Sequence, residues 1–194
     1  MMPRMNRSAP RRTPPAIVLG ILLVARGRAE GLALFGATAQ AFLASLAPLV
    51  AFPLVGGALI ALGGEPAAGI AGFLETICVL LGQPVISQFV AERWGRGELW
   101  LRYATAFNWC QWVIPALASV LVLAIGLLLS LGMPDAWAAP LLIAGLGVYG
   151  LWLQWFLARH ALLVSWLRAI ALVLIVNVAT AAILLGPRVL FGLA

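Results

Sequence analysis

Apolar runs longer than about 18 residues recur along this chain, each cut off by a cluster of glycine, proline or charge. Unbroken apolar stretches of that length lack the period of a half-wet surface helix and predict membrane-spanning segments. Five spans are expected, at 38–62, 67–90, 104–131, 137–158 and 161–186. The turn Gly63-Gly64-Glu65-Pro66 ends the first, and Gly132-Met133-Pro134-Asp135 ends the third. The expected fold is therefore all-α, a polytopic bundle of transmembrane helices. Ahead of it, the apolar run Ala16–Ala25 is too short to cross about 30 Å of hydrocarbon. Arginines flank it on both sides, so residues 15–30 are expected to form an interfacial or re-entrant helix behind a cytoplasmic tail at 1–14. Residues 187–194 are expected as a periplasmic C-terminus.

Charge fixes the expected direction of threading. All 12 basic residues are arginine. With the N-terminus inside, Arg4, Arg7, Arg11, Arg12, Arg26, Arg28, Arg93, Arg96, Arg102, Arg159 and Arg168 fall on or near one side and only Arg188 on the other. That asymmetry predicts an N-in, C-out protein of a bacterial cytoplasmic (inner) membrane. Arg26, Arg28, Arg93, Arg96, Arg102 and Arg159 are the candidates for contact with anionic lipid headgroups. Seven tryptophans (Trp94, Trp100, Trp109, Trp112, Trp152, Trp155 and Trp166) collect in the same half, as an aromatic belt would, and Trp137 marks the other interface. At 64% hydrophobic and 9% charged over 194 residues, the composition excludes disorder and an ordinary water-soluble enzyme. No segment is long enough to fold as a soluble basic module, so no nucleic-acid partner is expected.

Polar groups in hydrocarbon need partners, and they are the candidates for chemistry. Gln83, Asn108, Gln111, Gln154 and Arg168 all fall in the arginine-rich third of their spans. One reading is a polar pocket open to the cytoplasm that binds an anion or headgroup. The plainer one is that Arg168 snorkels to the interface while the amides join helices. Glu75 and Asn177 lie at similar depth nearer the opposite side, either as a proton or ion relay or as a neutral acid bonded to an amide. His160, the single histidine, falls beside Arg159 in the turn between the fourth and fifth spans and reads as an interfacial contact. Cys78 and Cys110 match no metal or disulfide spacing and read as buried free thiols. Pro48, Pro53, Pro84 and Pro115 are expected to kink their spans, and Gly56-Gly57 with Gly145, Gly147 and Gly150 to let helices approach closely.

Several features recur at an offset of 66 to 68 residues: Thr38/Thr105, Pro48/Pro115, Pro66/Pro134, and Gln88–Arg93/Gln154–Arg159. They suggest that the first two spans form a hairpin repeated as the third and fourth, in the same orientation. No GxSxG, HExxH, P-loop or GxGxxG is present. No enzyme activity, metal or cofactor is expected. The reading that follows is a non-enzymatic accessory or scaffold subunit that packs against other membrane proteins and anionic lipid. The alternative is a small transporter or channel using the inner polar ring and Glu75.

The layout of a short N-terminal segment and five closely packed spans resembles the Yip1-like family of small membrane proteins. The stretches Arg26-Gly27-Arg28-Ala29-Glu30-Gly31 and Tyr103 to Trp109 also resemble uncharacterised bacterial inner-membrane proteins. The resemblance covers residues 15–186. It implies a role in membrane organisation and partner binding, and carries over no catalytic residue.

Overall fold

The computed structural model describes residues 14–191, with side chains from Pro15 to Gly186. The expected tail with Arg4, Arg7, Arg11 and Arg12, and the Arg188 side chain in the expected outer C-terminus, lie outside the described residues and side chains. Among the described residues all regular structure is helical. The helices are α1 (Pro14–Ala25), α2 (Ala39–Leu62), α3 (Pro66–Arg93), α4 (Gly97–Cys110), α5 (Val113–Ser130), α6 (Ala138–Ala161) and α7 (Trp166–Phe191). Short 3-10 turns at Ala29–Leu34 and Asp135–Trp137 precede α2 and α6. Five helical segments are long and apolar enough to cross a membrane: α2, α3, α4 with α5, α6 with its leading turn, and α7. The 12 residues of α1 rise only about 18 Å and cannot.

Local chemistry sets the helix ends. Thr38 caps α2, its Oγ1 accepting from the Ala41 N–H at 3.2 Å. Pro66 opens α3, where a missing N–H costs nothing. The third span is one segment by hydropathy but two helices in the structure, beginning at Gly97 rather than Ala104 and breaking at Gln111-Trp112. Pro115 supplies the reason. It has no N–H for the Gln111 carbonyl, which takes the Ile114 N–H instead at 3.2 Å, and the Trp112 N–H turns to Trp109 at 3.3 Å. Pro48, Pro53 and Pro84 stay inside continuous helices.

The turns repeat. Gly27, Gly95 and Leu163 all have positive φ and stand 68 residues apart, and Gly64 and Gly132 stand at the same offset. After α1, α2, α3 and α5 the two amides at and after the glycine bond back to the helix in one pattern, as in Arg28 N–H to Leu23 and Arg96 N–H to Ala91. The first two of these glycines open related tetrapeptides, Gly27-Arg28-Ala29-Glu30 and Gly95-Arg96-Gly97-Glu98. The offset found in the sequence thus marks equivalent turns in the fold.

Packing is uneven from end to end. α2 and α3 form a hairpin, α7 joins α3 to α6, and α6 pairs with α5. At the arginine-rich end α4 sits among α1, α2, α3 and α6. Nearly every buried side chain belongs to that half: Val24, Leu32 and Phe35 from the N-terminal segment, and Trp100, Tyr103, Phe107, Leu153, Leu157 and Leu172 from the spans. In the other half α5 leaves the centre, and Ile125 is its single buried side chain. The α2–α3 hairpin closes by backbone contact, since a Cβ on Gly57 would meet the Gly69 carbonyl oxygen at 2.8 Å, whereas Gly56 faces open space. Gly145 and Gly150 face Leu121 and Ile114 of α5, and Gly147 faces no neighbour.

Candidate functional site

α4 is the most buried helix because it alternates aromatic and small residues. Trp100, Tyr103 and Phe107 fill the gaps between neighbours, and Ala104, Thr105 and Ala106 let them approach. Its polar groups then have to find partners within protein. Asn108 Nδ2 donates to Ser45 Oγ on α2 at 2.9 Å, and the serine hydroxyl donates to the Phe42 carbonyl at 2.6 Å. Trp100 Nε1 donates to Ser87 Oγ on α3 at 3.1 Å, and Ser87 donates to the Pro84 carbonyl at 3.0 Å. Farther round the bundle, Asn177 Nδ2 on α7 donates to Gln154 Oε1 on α6 at 2.7 Å and to the Val173 carbonyl. Tyr149 on α6 donates to the Ala25 carbonyl at 2.9 Å, tying down the end of α1. Four helix pairs are therefore joined by side-chain hydrogen bonds.

Between α3, α4 and α7 lies a cavity of about 10 Å3 lined by Gln83, Pro84, Ser87, Tyr103, Ala104, Phe107, Asn108 and Val176. The expected five-member ring is thus divided. Gln83 and Asn108 share the cavity, and Gln154 is taken by Asn177. Gln111 is half-buried at the break between α4 and α5. Arg168 is apart from all of them. α6 runs on to Ala161 and ends at Leu163, so α7 starts at Trp166 and places Arg168 in its first turn. There its side chain is exposed, with Cζ 5.9 Å from the Trp94 ring centroid.

Glu75 and Asn177 sit at different levels relative to the cavity. Val176, beside Asn177, lines the same cavity as Gln83. Glu75 is eight residues farther along α3, about 12 Å toward the other end. Asn177 turns its amide nitrogen to Gln154 and to the Val173 carbonyl. His160 belongs to the last turn of α6, with Nδ1 2.9 Å from the Phe156 carbonyl and its ring over Phe156. Both cysteines are free; Cys110 is buried in α4, whereas Cys78 is exposed on the apolar flank of α3. Ser45, Ser87 and Tyr149 are hydrogen-bonding partners that the sequence pattern did not single out, and Trp100 is bonded to Ser87 instead of lying in a belt. The signal was available for the serines, whose hydroxyls are polar groups inside spans just as the amides are.

The arginine-rich end has its own pattern. Arg93 lies over Phe89 at 5.0 Å, Arg159 over Trp155 at 5.4 Å and Arg168 over Trp94. Arg28 pairs with Glu30 at 3.4 Å, both side chains exposed. Arg26 and Arg102 are exposed, and Arg96 is half-buried. Trp100, expected in an interfacial belt, is instead a core residue. Comparison of the chain with protein-family models, with curated proteins and with solved structures finds no match.

Proposed function

We propose that this chain is a non-enzymatic scaffold of a cytoplasmic membrane, holding anionic lipid headgroups at its arginine-rich end and packing its apolar flanks against other membrane subunits. The observation that carries this reading is the set of three arginines, Arg93, Arg159 and Arg168, each resting on an aromatic ring rather than on a carboxylate. A guanidinium resting near a ring instead of a carboxylate keeps N–H donors for a phosphate, and it cannot be deprotonated in a lipid environment. Arg26 and Arg102 extend the same charged surface. Exposed leucine, isoleucine and valine cover the other half of every span, a surface suited to lipid or to neighbouring helices.

Transport has less support. The polar side chains of the layer are spent mostly on one another, and the cavity beside them has room for about one water molecule. Native mass spectrometry from mild detergent tests the lipid reading. The wild-type chain should retain phosphatidylglycerol over phosphatidylcholine, and the Arg93→Gln/Arg159→Gln/Arg168→Gln variant should lose that preference. Equal retention of both lipids by the wild-type chain overturns it.

A further inference from the structure

We propose that the cavity between α3, α4 and α7 is a binding site for a single water molecule that completes the polar layer around α4. Three observations carry this. The cavity of about 10 Å3 is at the lower end of the space one water needs, and four of the residues around it, Gln83, Ser87, Tyr103 and Asn108, carry polar side chains. Tyr103 lines it while only 4% exposed, and no hydrogen bond joins its hydroxyl to another of the described residues. Asn108, also 4% exposed, uses its nitrogen on Ser45 and keeps its carbonyl oxygen as an acceptor.

The hydrogen-bond inventory then closes. Water accepts from the Tyr103 O–H, donates to Asn108 Oδ1, and has a further donor and acceptor for the Gln83 carboxamide. Ser87, already accepting from Trp100, stands on the same wall. One molecule so placed joins the α2–α4 link through Ser45 and the α3–α4 link through Ser87 into a continuous layer. The ligand class is a neutral, water-sized donor and acceptor. The cavity has no ionised group to hold an ion and too little room for a substrate.

X-ray radiolytic labelling of the full chain in lipid nanodiscs, mixed briefly with 18O-water before exposure, tests the assignment. A trapped water generates hydroxyl radical in place, so Tyr103 and Phe107 should be modified and should carry mostly 16O. Phe52, exposed on α2 to lipid, is the dry control. In the Gln83→Leu/Tyr103→Phe variant, which removes no side-chain hydrogen bond seen among the described residues, modification of Phe107 should fall to the level of Phe52. Wild-type labelling at Tyr103 and Phe107 no greater than at Phe52 overturns the site. So does labelling of Phe107 that persists in the variant, because the water would then not depend on these walls.

Discussion

Asn108 and Ser45 are 63 residues apart in the chain and share one buried hydrogen bond. Removing one partner strands the other, and Asn108 is only 4% exposed, so its amide has little access to solvent. Ser45→Ala should therefore destabilise the bundle, by about 0.6 to 1.7 kcal/mol on the scale of helix–helix hydrogen bonds in membranes. Reversible unfolding in mixed micelles measures this, with Ser119→Ala as a control that breaks only an exposed bond within α5. Leu163 allows the opposite test. It holds φ at 52° where the equivalent turns have glycine, and its side chain is exposed. Leu163→Gly should relieve left-handed strain and raise stability by about 1 kcal/mol in the same assay. The chain revealed that amides inside spans need partners. It did not reveal which ones, because pairing depends on how far each helix is rotated about its axis, and these spans are apolar nearly all round. Asn177 illustrates the point: counting from span ends set it level with Glu75, while packing of α7 against α6 gave it to Gln154.

Helices were legible where hydrophobicity alone dictates them. α2, α3 and α6 begin and end within about three residues of the apolar runs. α4 was not, because Glu98 and Arg102 make its first turns look like a loop between spans. What makes them helical is the burial of Trp100 and Tyr103 against neighbouring spans, a tertiary effect that no local window contains. The glycine pairs show a similar limit. Gly56-Gly57 advertises a close approach, but only rotation of α2 decides which glycine meets Gly69. This yields a paired prediction. Gly57→Ala places a methyl 2.8 Å from a backbone oxygen that a flexible side chain cannot clear, and should cost roughly 1–3 kcal/mol through separation of the hairpin. Gly56→Ala meets nothing within 4 Å and should leave stability unchanged or slightly raised. The same unfolding measurement on both variants decides it, and equal losses would mean that the hairpin crosses elsewhere.

For the molecule as a whole, tight packing and positive charge coincide at one end. α4 fills the centre there, α1 with the Ala29–Leu34 turn covers it, and the arginines ring it. The other end carries Glu65 and Asp135 and no described arginine side chain. Recurrence of the same turns every 68 residues fits a unit of broken span, glycine turn and return span used twice, with α7 opening a third. On this account the arginines recur with the unit, at Arg28, Arg96 and, two positions off, Arg93 and Arg159, so a duplicated hairpin would keep its orientation through its own charges. On the proposed reading, the positive-inside rule predicts a bundle with α4 toward the cytoplasm. A membrane-impermeant maleimide added outside intact cells expressing the chain should therefore label Asp135→Cys and spare Glu98→Cys until the cells are opened. Cys78, exposed on an apolar flank of α3, and Cys110, buried in α4, should stay unlabelled in both and serve as internal controls. Labelling of Glu98→Cys in sealed cells would invert the molecule and turn the arginine-rich end away from the anionic cytoplasmic leaflet, removing the electrostatic basis of the proposed lipid contact.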